Sequence, residues 1–176
     1  MKVICFDLDD TLFKEIEYLQ SAYKNIAEFV SQIACGTDER VSEIYAFMLE
    51  EYQCGKNVFA AINDHFGLSV DIEDFLKIYR NHLPKIALQR SIIDLLSFLS
   101  INGNMLGLIT DGRSVQQRNK IRALQLSDFI ENTNIIISEE FGTAKPSFAN
   151  YQYFMDRYPD AERFVYIGDN IEKDFV

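Results

Sequence analysis

Four short apolar runs, separated by helical patterns, constrain the fold of this sequence more than any other feature. They are rich in β-branched and aromatic residues and cover residues 2–6, 105–110, 134–138 and 163–168. Continuous apolar runs of this length are typical of strands buried on both faces, as in parallel sheets. Strands that alternate with helices require βαβ crossovers. The sequence therefore predicts an α/β fold built on a parallel sheet.

Three helices are predicted between these strands. Ser91 is placed to cap the first, which ends at Asn102-Gly103. Ser114 and Gln117 form a capping-box pattern at the start of the second. Pro146-Ser147 opens the third.

Residues 14–85 are organised differently. Apolar residues recur there at helical spacing in four stripes, which run over 16–33, 41–52, 58–66 and 72–79. Consecutive amphipathic helices pack into a small bundle. We therefore predict an all-helical insertion over 14–85 and an α/β core formed by 1–13 plus 86–176.

The composition excludes several function classes. The chain of 176 residues carries a formal net charge of −10, which repels phosphate backbones, so we expect no nucleic-acid partner. No apolar run reaches the ~18 residues of a membrane span, and Asp7 comes too early for a signal peptide. Cys5, Cys35 and Cys54 show no CxxC spacing and favour buried, reduced thiols. These features predict a cytoplasmic protein without a membrane partner.

Side chains that could take part in catalysis or metal binding follow the predicted strands. They are, in chain order, Asp7 and Asp9 after the first strand, Thr110, Asp111 and Gly112 after the second, Lys145 after the third, and Asp169 and Asp174 after the fourth. Ligands of open parallel sheets bind beyond the carboxyl ends of the strands. We therefore expect these side chains to meet at one edge of the sheet.

Several carboxylates that point at one place repel one another, and a hard dication relieves the repulsion. Mg²⁺ prefers oxygen ligands such as carboxylates, water and a phosphate oxygen. Lys145 would add a positive charge and Thr110 a donor for a phosphate group. The set therefore predicts a Mg²⁺ cofactor and attack of a carboxylate on phosphorus, with a second acid to handle the proton of the leaving group.

The order of these motifs resembles the four signature motifs of the haloacid dehalogenase (HAD) superfamily. The motifs are DxDDT at 7–11, hydrophobic-Thr-Asp-Gly ending at 112, Lys-Pro at 145–146 and GDxxxxD at 168–174. The helical insertion is similar to that of subclass I phosphatases with a C1 helical cap. The resemblance implies a Rossmann-like three-layer core and a helical cap. Because members usually continue through another helix and strand, we also expect the core to lack its C-terminal end.

The resemblance implies a role for each motif residue. Asp7 is the nucleophile that forms a phosphoaspartyl intermediate, and Asp9 is the general acid and then the base. Thr110 holds the phosphoryl group, and Lys145 neutralises the nucleophile and the phosphate. Because the dehalogenases lack an acid at the position of Asp9, a phosphohydrolase is favoured.

Two further sets complete the implied site. The substrate-binding residues are Thr110, Asp111, Gly112 and Lys145. The Mg²⁺ ligands are Asp7, Asp9 through its backbone carbonyl, Asp169 and Asp174. Asp-Gly is also an ordinary turn dipeptide, so a structural role for Asp111 competes with substrate binding.

The expected activity is Mg²⁺-dependent hydrolysis of a small phosphorylated metabolite. A phosphomutase of the same superfamily, which returns the phosphoryl group to a sugar, is the alternative. A receiver-like phosphoacceptor is disfavoured, because it needs an aspartate after a middle strand where this chain has its helical block. A catalytically idle binding module is disfavoured by the complete set of charged motif residues. The sequence specifies neither the substrate nor the oligomeric state.

Overall fold

The computed structural model describes residues 1–34 and 38–174. The contacts divide the chain into two compact units, of which one is Met1–Glu15 with Ile86–Val176 and the other is Ile16–Lys85. The first unit holds the sheet, and the second is helical. The predicted fold class, a Rossmann-like parallel-sheet core with an inserted helical domain, is confirmed.

The sheet consists of β1 (Lys2–Phe6), β2 (Met105–Thr110), β3 (Ile135–Ile137) and β4 (Arg163–Ile167). The strands are parallel and lie in the order β3-β2-β1-β4. Phe6 pairs with Leu108 on one side and with Ile167 on the other. Because these three residues lie at or near the ends of their strands, the segments that follow them leave the sheet at the same edge.

One face of the sheet packs into an apolar cluster whose buried members are Val3, Cys5, Ile109, Ile136 and Phe154. Gly107 makes this packing possible. A Cβ at that position would lie 2.6 Å from the ring of Phe154 and 2.8 Å from the Cys5 sulfur. A larger residue would therefore push the neighbouring helix off the sheet.

The helical unit contains α1 (Glu15–Ile33), α2 (Asp38–Gln53), α3 (Val58–Phe66) and α4 (Ile72–Asn81), although Glu15 itself belongs to the sheet unit. Asn57 and Asp71 cap α3 and α4 with their side chains. Gly67 ends α3 in the left-handed conformation, at φ 64°. The apolar stripes meet in a core whose buried members are Leu19, Tyr23, Ile26, Ala27, Val30, Ile44, Met48, Val58, Ile62 and Phe75.

The helices of the sheet unit are α5 (Arg90–Ile101), α6 (Ser114–Ala123), α7 (Ser138–Phe141), α8 (Phe148–Arg157) and α9 (Ile171–Asp174). Two predicted caps are wrong. Helix α5 begins one residue before Ser91, and α6 begins at Ser114 itself with no side-chain cap. The Gln117 side chain forms different contacts, which are described with the candidate site.

The cysteines differ in burial. Cys5 is buried, but Cys54 is exposed, so the expectation that the cysteines are buried is wrong for Cys54. Cys35 lies outside the described residues. Among the described helices, none is long and apolar enough to cross a membrane.

Candidate active site

The strand ends of the sheet unit border a cleft of about 230 Å³. Its lining residues are Asp7, Asp9, Asp10, Glu15, Thr110, Asp111, Lys145, Asp169, Asn170 and Lys173. The cleft therefore contains most of the residues predicted for the site. Two predicted residues are not part of the lining. Asp174 is buried, and Gly112 borders a separate pocket together with Ser138.

A larger cavity, of about 380 Å³, lies within the helical unit and is lined in part by Ser21 and His82. The His82 ring contacts the Tyr79 carbonyl and the Ser21 hydroxyl, and burial lowers the pKa of His82. Among the described residues, a group of three acids could hold a metal, and two of them, Asp7 and Asp169, line the smaller cleft. For this reason the smaller cleft is the candidate active site.

Lys145 joins two of the predicted acids. Its ammonium lies 2.9 Å from Oδ2 of Asp7 and 2.8 Å from Oδ1 of Asp174. Burial raises the pKa of Asp7 to about 6, although Lys145 acts in the opposite direction. Burial also opposes the charge on Lys145, but contacts with Asp174 and Asp7 outweigh it and raise the pKa of Lys145. Lys145 and Asp7 thus form an ion pair, in which Lys145 only partly offsets the cost of burying the Asp7 charge.

Asp174 is held from several directions. Its Oδ2 accepts the backbone N–H of Asn170 at 3.0 Å, and its Oδ1 accepts the hydroxyl of Tyr166 at 3.0 Å. Burial alone would raise the pKa of Asp174, but its hydrogen bonds, chiefly from Lys145, lower it below the ordinary value. Gly168 leaves the room that this carboxylate needs, because a Cβ there would collide with it.

Asp7, Asp169 and Asp174 form a group of carboxylates whose ligand oxygens all lie within 4.8 Å of one another. Asp169 is exposed, whereas Asp7 and Asp174 are buried. Carboxylate oxygens are the donors that a hard cation such as Mg²⁺ prefers. The raised pKa of Asp7 shows that Lys145 does not fully offset the cost of burying this negative charge. The donor set therefore fits a divalent cation.

The Asp9 side chain is not a member of that carboxylate group among the described residues. Its two oxygens lie 2.7 and 2.9 Å from the Lys120 ammonium. Oδ2 also accepts a hydrogen bond from the Gln117 amide at 3.0 Å. Asp9 borders the same cleft as Asp7, but its side-chain contacts come from helix α6.

Residues 110–112 follow β2 along the edge of the cleft. The Thr110 hydroxyl accepts a hydrogen bond from Gln117 at 2.9 Å. The Asp111 carboxylate accepts the backbone N–H of Lys145 at 3.1 Å, and the N–H of Gly112 donates to Ser138 at 3.0 Å. Asp111 therefore positions the Lys145 backbone, whatever further contact it makes with a substrate.

A family model described as haloacid dehalogenase-like hydrolase matches residues 4–176, which is nearly the whole chain. The chain belongs to the haloacid dehalogenase-like hydrolase family. The resemblance inferred from the four motifs is thus confirmed, and with it the expectation of an enzyme.

The named relatives of this HAD-like hydrolase agree with that assignment, and solved structures of other proteins share its fold. The glyceraldehyde 3-phosphate phosphatase of Methanocaldococcus jannaschii is 30% identical over 181 residues, which cover 99% of this chain and 78% of that protein. YfnB from Bacillus subtilis, assigned as a HAD-hydrolase and crystallised bound to magnesium, aligns at 24% identity with a TM-score of 0.64 and covers 98% of this chain and 80% of that one. A HAD phosphatase from Thermococcus onnurineus aligns at 23% identity with a TM-score of 0.57, covering 99% and 80%.

Gln117, Lys120 and Tyr166 contact predicted residues of this HAD-like site but were not themselves predicted from the sequence. Gln117 was assigned to a helix cap, Lys120 is one of three basic residues in a polar helix, and Tyr166 lies within an apolar strand. A buried lysine is rare without a partner, so the burial of Lys120 is a signal that only the structure supplies.

Proposed function

We propose that this HAD-like hydrolase is a Mg²⁺-dependent phosphatase that hydrolyses small phosphomonoesters through a phosphoaspartyl intermediate on Asp7. The contact of buried Asp7 with Lys145, beside two further carboxylates, is the observation that carries the proposal. The name of the Methanocaldococcus jannaschii relative, a glyceraldehyde 3-phosphate phosphatase, supports a small phosphorylated substrate.

Asp7 has the properties of a nucleophile at this position. Its Oδ1 accepts the N–H of Leu8 at 2.8 Å, and its Oδ2 contacts Lys145, so the carboxylate is held in one orientation. A pKa of about 6 makes Asp7 more basic than an ordinary aspartate, yet leaves it largely ionised at neutral pH. An oxygen of Asp7 would attack phosphorus as the ester P–O bond breaks, and water would then cleave the phosphoaspartate to release phosphate and free Asp7.

Asp7, Asp169 and Asp174 would hold the cation, together with the Asp9 carbonyl. When bound, Mg²⁺ would offset the negative charges of the carboxylates and of the phosphate. Lys145 adds a fixed positive charge beside Asp7, so that the phosphoryl group enters an acidic cleft with less repulsion. Thr110, which also borders the cleft, would donate its hydroxyl proton to a phosphoryl oxygen.

Asp9 would carry the proton of the reaction. It borders the same cleft as Asp7, two residues away in sequence. We assign to it protonation of the leaving oxygen in the first step. In the second step it would remove a proton from the attacking water.

The test measures phosphate release from p-nitrophenyl phosphate and from glyceraldehyde 3-phosphate, with Mg²⁺ and with a chelator. We expect turnover that requires Mg²⁺ and is abolished by Asp7→Asn. Asp160→Asn, which changes an exposed aspartate of the same unit, is the matched control and should retain activity. Wild-type turnover in Asp7→Asn would remove Asp7 as the nucleophile. With sugar phosphates, an isomerised product in place of free phosphate would favour the phosphomutase alternative.

A further inference from the structure

We propose that Lys120 and Gln117 are positioning residues that orient the Asp9 carboxyl group so that, once it has taken up a proton from solvent, it can protonate the leaving oxygen. This inference rests on the proposed phosphatase function. Both residues lie on α6, three positions apart, so their side chains leave the helix on the same face.

The buried Lys120 side chain forms a close ion pair with Asp9. Its side chain is 1% exposed, and its ammonium touches both carboxylate oxygens of Asp9. Glu15 lies farther from the same ammonium, at 3.7 Å, and is half exposed. A buried ammonium needs a close partner to offset the loss of hydration, and Asp9 is the closest carboxylate described. A contact with both oxygens also opposes rotation of the carboxylate group.

Gln117 fixes Asp9 relative to the end of β2. Its amide nitrogen lies 3.0 Å from Oδ2 of Asp9 and 2.9 Å from the Thr110 hydroxyl. The same nitrogen lies 2.7 Å from the backbone oxygen of Asp111. Because the Asp9 carboxylate and the Asp111 carbonyl can only accept hydrogen bonds, the amide must present its N–H groups to this cluster. One side chain thus joins the proposed proton carrier to the residue proposed to hold the phosphoryl group.

Loss of Lys120 should slow only the steps in which Asp9 transfers a proton. Without Lys120 the Asp9 carboxylate could rotate away from the leaving oxygen, and the fraction of productive orientations would fall. An ester with a poor leaving group, such as an alkyl phosphate, needs that proton. An ester with a good leaving group, such as p-nitrophenyl phosphate, needs it much less. A positioning role therefore predicts a loss that depends on the leaving group, which a general structural defect would not produce.

The experiment compares kcat/KM, which reports the steps up to formation of the phosphoaspartate, for wild type and Lys120→Met over a series of phosphomonoesters of rising leaving-group pKa, with Mg²⁺ present. We expect Lys120→Met to lower kcat/KM roughly 10- to 100-fold for alkyl phosphates and less than about 3-fold for p-nitrophenyl phosphate. Lys120→Arg should restore part of the loss, because a guanidinium can also contact both oxygens. Arg122→Met, an exposed charge on the same helix, should leave the series unchanged.

A double-mutant comparison identifies the route of the effect. If Lys120 acts through Asp9, Lys120→Met should cost little more in an Asp9→Asn background. Should Lys120→Met fail to fold, Gln117→Leu provides the same test from the second contact. Equal losses for all leaving groups, additivity with Asp9→Asn, or a gain in turnover would each overturn the inference. An inactive wild type would instead overturn the proposed function and, with it, this inference.

Discussion

The Lys145 ammonium and Oδ2 of Asp7 lie 2.9 Å apart, and both side chains are less than one-tenth exposed. Because Lys145 also contacts Asp174, one positive charge is shared between two buried carboxylates. The cluster carries a net negative charge in a poorly hydrated place. We therefore expect pH, a bound cation and substitution of Lys145 to change both the stability of the protein and the proposed catalytic activity.

Removal of the Lys145 charge should destabilise the protein. In Lys145→Met, Asp7 and Asp174 lose their shared cation, and truncation of a buried ion pair typically costs about 3 to 5 kcal/mol. We expect a drop in the free energy of unfolding toward that range in urea titrations without Mg²⁺, and a smaller drop with Mg²⁺. Arg122→Met, at an exposed position, should change stability by less than about 0.5 kcal/mol. An equal drop for both variants would show that Lys145 is not a central cation of the fold.

The raised pKa of Asp7 predicts a pH-dependent cost in the metal-free protein. The folded value is about 6 against an ordinary value of 3.8, so the folded state binds a proton more tightly than the unfolded state does. Asp7 therefore lowers stability as pH rises from about 4 through about 6, and the cost is complete above that range. We expect Asp7→Asn to be more stable than wild type at pH 8, by up to roughly 3 kcal/mol.

Chemical denaturation of metal-free wild type and Asp7→Asn from pH 4 to pH 8 checks this prediction. The difference in the free energy of unfolding should shrink steeply toward pH 4, where folded Asp7 is protonated and unfolded Asp7 becomes increasingly so. A difference that stays constant across the range would contradict the assigned burial effect. Asp160→Asn, at an exposed aspartate, provides the comparison for a simple loss of charge.

Mg²⁺ should raise the melting temperature if Asp7, Asp169 and Asp174 hold it. A ligand that binds only the folded state at 100 times its Kd stabilises by about 2.7 kcal/mol. We expect a saturable shift in differential scanning fluorimetry that a chelator reverses. Asp169→Asn, which alters the exposed member of the group, should move the midpoint of the shift to higher Mg²⁺ concentration. An unaltered midpoint in that variant would remove Asp169 from the proposed ligands.

The fold and the motif residues were predictable because their signals are local. The β2 run over 105–110 is bounded by polar residues and matches the strand in the structure. Asp7 and Asp169 follow directly from strand ends, and parallel topology brings such ends together. These inferences needed only the apolar patterns and the rule that strands alternating with helices form a parallel sheet.

The contacts of Gln117 and Lys120 were not predictable for the opposite reason. Gln117 bonds to Asp9, which is 108 positions away in sequence, while its spacing from Ser114 matches a local capping pattern. A short-range pattern cannot show that a side chain has a better long-range partner. Tyr166 illustrates the same limit, since an aromatic residue in a strand predicts packing and not a hydroxyl placed 3.0 Å from Asp174.

Gly168 should be intolerant of even one methyl group. Its backbone is not in the left-handed region, so the expected effect of Gly168→Ala is the collision of the new Cβ with the Asp174 carboxylate. Displaced, Asp174 would lose its contacts with Lys145 and Tyr166. We expect a stability loss of roughly 1 to 3 kcal/mol and a weaker Mg²⁺ response in the thermal assay.

Two comparisons separate this collision from other effects of the alanine. Gly103→Ala adds a methyl group into open space at φ 73°, so it should cost about 1 to 2 kcal/mol through the backbone alone and keep the full Mg²⁺ response. Gly168→Ala combined with Asp174→Ala should cost little beyond Asp174→Ala alone, because the carboxylate that the methyl strikes is gone and only the Cβ of residue 174 remains, 3.1 Å away. If the second methyl instead adds its full cost in that background, the carboxylate is not what Gly168 accommodates.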